Sequence, residues 1–100
     1  MVSIRVSKEE ICSFCRQHRI RRLAFFGSVL RPDFDSNSDI DVLVEFDPEA
    51  RVGFFELYDM EQELSRLLGG RKIDLNTPNS LSEYFRQEVM AEAQVQYVTT

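Results

Sequence analysis

No stretch of this sequence stays apolar for the ~20 residues that a helix needs to cross a bilayer, so no membrane span is expected. Residues 1–8 alternate polar and apolar side chains, unlike a secretory leader, and a cytoplasmic protein is the expectation. Repeats, linkers and low-complexity segments are absent. At 100 residues there is room for one domain, spanning residues 1–100, and none for a separate recognition module. Excess positive charge is also lacking. A formal net charge of −5 argues against a protein that lives on nonspecific phosphate contacts, and direct nucleic-acid binding is not expected. Cysteine is scarce. Cys12 and Cys15 precede His18 in a helical pattern, where a metal reading lacks an evident fourth ligand and competes with simple packing.

What is present suffices for one core, since 43% of residues are hydrophobic and eight are Phe. The charges are unevenly spread. Residues 1–31 carry seven Lys/Arg against two Glu, and the remainder carries five against fifteen acids, which leaves an acidic body behind a basic N-terminal third. Ser7 with Glu10 forms a capping-box pattern, and Val6 with Ile11 a hydrophobic staple, for a helix ending near Gln17. The apolar Leu23-Ala24-Phe25-Phe26 reads as a buried strand ended by Gly27, followed by a polar loop containing Pro32. Over residues 39–46, Ile40, Val42, Val44 and Phe46 fall on one face of a strand and Asp39, Asp41, Leu43 and Glu45 on the other. Phe54, Leu57, Tyr58, Glu61, Leu64 and Leu68 follow at helical spacing up to Gly69-Gly70. A third strand is expected over residues 71–76, a last helix capped by Asn79 or Ser80 and running to about Ala93, and a fourth strand over 95–98. The fold class is therefore α/β (α+β).

The chemistry-bearing residues cluster in this pattern. Asp39 and Asp41, two apart on a strand, leave the same face with Cα atoms about 6.6–6.8 Å apart, so both carboxylates can reach one or two hard cations. Apolar neighbours make that placement costly unless a cation or donors neutralise the charge. Asp74 is a further acid among apolar neighbours, and pairing of its strand with residues 39–46 would set it beside Asp41. Three carboxylates around two metal ions suit an in-line phosphoryl displacement, and one of them can accept the proton of the attacking hydroxyl. Gly27-Ser28, directly after a buried strand, permits close backbone approach to phosphate oxygens, with the serine hydroxyl as an added donor.

Gly27-Ser28, ten residues and then Asp39-Ile40-Asp41 resembles the GS-x10-D-x-D signature of polymerase-β-like nucleotidyltransferases. Phe25-Phe26-Gly27-Ser28-Val29-Leu30-Arg31, with residues 36–44 reading SNSDIDVLV, resembles the "lfGSxaRg…SDiDllv" core of their minimal nucleotidyltransferase (MNT) branch. Asp74 falls where that branch keeps its third carboxylate. Pro32 departs from the small residue usual there. The resemblance implies a small mixed sheet of about four strands flanked by helices. It further implies Mg²⁺, two ions, on Asp39, Asp41 and Asp74, with ATP held by Gly27 and Ser28; Arg31 is either a further phosphate contact or a loop arginine paired with Asp33 or Asp35. Members of the branch are antitoxins paired with a helical HEPN-type toxin, which implies a hetero-oligomer and transfer of AMP to a hydroxyl, a tyrosine's, on that partner. Two other readings stay open: a noncatalytic antitoxin that neutralises its toxin by covering it, and nucleotidyl transfer to RNA or a small molecule.

Overall fold

A computed structural model describes residues 7–27 and 39–99. Helix α1 (Lys8–Gln17) leads into strand β1 (Ile20–Phe26), then β2 (Ile40–Phe46), α2 (Phe54–Leu67), β3 (Ile73–Asn76), a short 3₁₀ turn (Pro78–Ser80), α3 (Glu83–Glu92) and β4 (Gln94–Val98). The four strands form one mixed sheet in the order β3-β2-β1-β4. β1 runs antiparallel to both β2 and β4, while β2 and β3 are parallel. The small mixed sheet flanked by helices is the architecture that the sequence implied.

Alternation along the strands determines where the core sits. Ile40, Val42 and Val44 of β2 and Leu23 and Phe25 of β1 turn toward α1 and α2, where they meet Ile11, Phe14 and Cys15 of α1 and Met60 and Leu64 of α2. Each large side chain removed from water there contributes roughly 1.5–3 kcal/mol. The opposite face is also closed at its centre, because Ala24 and Leu43, partners across β1 and β2, are 0% and 1% exposed.

The element ends follow local chemistry. Ser7 caps α1 by accepting from the Glu10 amide at 3.3 Å, as its spacing predicts, whereas Val6 of the expected staple lies outside the described residues. α1 closes on Arg19, which takes the left-handed conformation (φ 57°) that glycine usually supplies, and the Arg19 carbonyl accepts from the Asp47 amide at 2.9 Å. α2 stops in a Schellman arrangement, with Gly70 donating to the Ser65 carbonyl at 2.8 Å and both Gly69 and Gly70 at positive φ.

Two expectations need correction. The last helix starts at Glu83 under a Ser82 cap, not under Asn79 or Ser80. Pro78 instead starts a tight 3₁₀ turn through those residues, closed by the Ser80 hydroxyl. The buried stripe of α2 keeps only the later part of the expected one: Leu64 and the following Leu68 are buried and Met60 joins them, while Phe54 is 90% exposed and Tyr58 is exposed. Leu64 and Leu68 belong to both stripes, so apolar spacing alone could not tell the two faces apart.

Candidate active site

The sheet register brings the acidic residues to one end. Asp41 on β2 is paired with Phe26, the last residue of β1, and on its other side with Asp74 of β3. Strand neighbours lie about 4.8 Å apart and register partners face the same way, so Asp41 and Asp74 leave the same face of the sheet on neighbouring strands. Asp39, two residues earlier, sits just ahead of β2, where the pairing of Ile40 with Ile73 puts it opposite Lys72. The Lys72 ammonium comes within 4.0 Å of Asp39 Oδ2.

Gly27 closes the group. It adopts φ +69°, and a Cβ built there would lie 2.4 Å from Asp41 Oδ2. Any other residue would both strain the backbone and push the Asp41 carboxylate out of place. The glycine after β1 therefore places bare backbone directly against the Asp41 carboxylate, a contact that the sequence did not foretell. Ser28 and Arg31 lie outside the described residues.

Burial is graded across the cluster. Asp41 is half-buried, whereas Asp39 and Asp74 are exposed. The acids thus stand on a rim rather than in a closed pocket, and water lowers the cost of holding them together. Among the described residues no three His, Cys, Asp or Glu side chains converge into a ready-made cage. An oxygen-only set of this kind, open to solvent, suits a magnesium-like ion, which keeps waters and takes substrate phosphates as ligands beside one or two carboxylates.

Two side chains that sequence reasoning had placed elsewhere, or overlooked, hold β3 beside β2. Glu61 Oε2 accepts from the Leu75 amide at 3.1 Å, next to Asp74, and the Ser65 hydroxyl donates to the Arg71 carbonyl. Both lie on α2, four residues apart, and a polar i, i+4 pair within an otherwise core-facing helix was the available signal. The other titratable candidates do not join the site. Cys15 is fully buried in the core, Cys12 is partly exposed and both are free. Burial, then the neighbouring Cys12, pushes the Cys15 thiol up to about 12. His18 bonds Glu63 Oε2 at 2.8 Å and tilts against the Phe14 ring, so the Cys-x-x-Cys-x-x-His pattern is a packing feature among the described residues.

Residues 9–99 match the family described as "Polymerase beta, Nucleotidyltransferase". The chain belongs to that family. This nucleotidyltransferase is 32% identical over 92 residues to the protein adenylyltransferase MntA of Thermococcus cleftensis, an alignment covering 84% of this chain and 90% of the relative. Its fold is similar to a toxin–antitoxin crystal structure with AMP-PNP, at TM-score 0.74 and 22% identity, covering 95% of this chain and 76% of the other. It is likewise similar to a structure of a tri-AMPylated Shewanella oneidensis HEPN toxin in complex with MNT antitoxin, at TM-score 0.65 and 21% identity, covering 92% and 70%. Among the described residues of the nucleotidyltransferase, no helix is long and apolar enough to cross a membrane.

Proposed function

We propose that this nucleotidyltransferase is the antitoxin of a toxin–antitoxin pair, a single domain over residues 1–100 that works in the cytoplasm and moves AMP from ATP to a tyrosine hydroxyl of a helical HEPN-type toxin. The observation that carries the reading is Asp41, with the Gly27 backbone packed against its carboxylate and Asp74 as its strand partner. The MntA relative is named a protein adenylyltransferase, and the structural neighbour from Shewanella oneidensis contains an AMPylated HEPN toxin.

In this reading Gly27 and Ser28 hold the triphosphate through backbone amides and a hydroxyl, and Arg31 adds a charged contact. Asp39, Asp41 and Asp74 hold two Mg²⁺ ions, which when bound stabilise charge on the attacking and leaving oxygens. The acceptor hydroxyl oxygen forms a bond to the α-phosphorus. The bond from that phosphorus to the bridging oxygen breaks, and pyrophosphate leaves with the electron pair. Asp74, exposed on this rim, takes the hydroxyl proton. The acceptor is presented by a docked partner in a hetero-oligomer, in keeping with the structural neighbour that holds an AMPylated HEPN toxin in complex with MNT antitoxin.

A second reading is favoured by one observation. Phe54, Phe55, Tyr58, Tyr84 and Phe85 are all exposed, more aromatic surface than a solitary small domain usually shows. Docking through exposed rings of this kind would neutralise a toxin by contact alone. The two readings separate when the protein, its partner and Mg²⁺ are incubated with ATP labelled at the α-phosphate. Label on the partner supports transfer. An inhibited partner without label supports the contact mechanism, and label on RNA or a small molecule moves the acceptor elsewhere.

A further inference from the structure

Lys72 stands at the acidic rim beside Asp39. It precedes β3, its carbonyl accepts from the Ile40 amide at 2.9 Å, and its ammonium lies 4.0 Å from Asp39 Oδ2. The Lys72 side chain is 81% exposed and that of Asp39 49%, so the pair adds little to the stability of the fold. What the pair does mark is a place beside Asp39 that attracts a cation.

We propose that Lys72 is a triphosphate-binding residue of this site, balancing Asp39 before nucleotide arrives and contacting the β- and γ-phosphates afterwards. The inference rests on the nucleotidyltransferase reading of the three carboxylates. When a divalent cation claims the Asp39 oxygen, like charges oblige the ammonium to leave. Its flexible four-carbon stem and three donors let it turn to the nearest unsatisfied anion, as a lysine point charge does at phosphate sites. Three carboxylates and a triphosphate carry more negative charge than two divalent cations cancel, so that anion is the phosphate tail. The Lys72 side chain is 81% exposed and free to swing toward such a tail.

Equilibrium binding of α,β-methylene-ATP and of AMP, both with Mg²⁺, tests the assignment on wild type, Lys72→Met and Lys72→Arg. Lys72→Met keeps the stem and removes the charge. It is expected to weaken the triphosphate analogue about tenfold, leave AMP affinity and melting temperature unchanged, and be largely rescued by the arginine variant. Unchanged analogue affinity in Lys72→Met overturns the proposal, as does an equal loss for AMP and analogue. A wild-type protein that binds neither nucleotide overturns the nucleotidyltransferase reading together with it.

Discussion

At Gly27 one hydrogen in place of a methyl group keeps the Asp41 carboxylate in position. A Cβ there would come within 2.4 Å of Asp41 Oδ2 at a backbone angle, φ +69°, that other residues resist. Gly27→Ala is therefore expected to damage nucleotide transfer more than Ser28→Ala, which removes one donor and should weaken ATP binding or turnover by roughly 1–3 kcal/mol. ATP titrations of the two variants check the order, and equal curves for both and for wild type would remove the nucleotide assignment. Asp39→Asn and Asp41→Asn are expected to abolish transfer while leaving the fold intact, because each relieves repulsion among neighbouring acids. Thermal melting without Mg²⁺ is the control, since a strong loss of stability in Asp41→Asn would make the pair structural. Cys15 gives a prediction of another kind. Its thiol is pushed from 9.0 up to about 12, so the folded state resists losing that proton. Its contribution to stability is whole below pH 9 and declines as pH rises toward 12, because the unfolded chain ionises first. Alkaline denaturation of wild type against Cys15→Ala should show this slope in wild type only.

Among the elements, β3 is the part of the site that most needs help. It is four residues long and an edge strand, yet it carries Asp74. α2 clamps it through Glu61 to the Leu75 amide and Ser65 to the Arg71 carbonyl. Glu61→Ala is expected to cost about 1–2 kcal/mol, the worth of a hydrogen bond to a charged acceptor that is partly wet, and to lower transfer by loosening Asp74. Glu61→Gln, which keeps an acceptor oxygen, should recover most of both. Denaturant unfolding beside a transfer assay checks this, and a stable Glu61→Ala variant with full activity would contradict the clamp. The same helix shows what its sequence did not reveal. Period-3.6 spacing predicted a helix correctly, but Phe54 and Tyr58 as well as Leu57 and Leu64 satisfied it, and only tertiary packing chose the Met60–Leu64–Leu68 side. Residue pattern likewise could not foresee that Pro78 would put a 3₁₀ turn ahead of α3, because Ser80 and Ser82 are both acceptable caps.

For the whole molecule, the site was more legible than the fold's edges. The alternation through residues 39–46 fixed which side Asp39 and Asp41 leave β2, and the glycine after a buried run marked the end of β1. Adjacency of Asp74 to Asp41 depended on a parallel pairing between strands separated by all of α2, which local propensity cannot specify but the register now defines. Lys72 escaped notice for a similar reason: only that pairing sets it opposite Asp39. Burial of the acids was overestimated from their apolar neighbours, since the cluster lies at the sheet's end, where side chains meet water.

AMP transfer by these residues to a partner protein is read by intact-mass spectrometry of that partner. The partner is co-expressed with wild-type protein or with Asp39→Asn, purified and weighed. The expected result is a mass increase of one or more AMP units with wild type and none with Asp39→Asn. A partner that is inhibited by wild type yet gains no mass would contradict it.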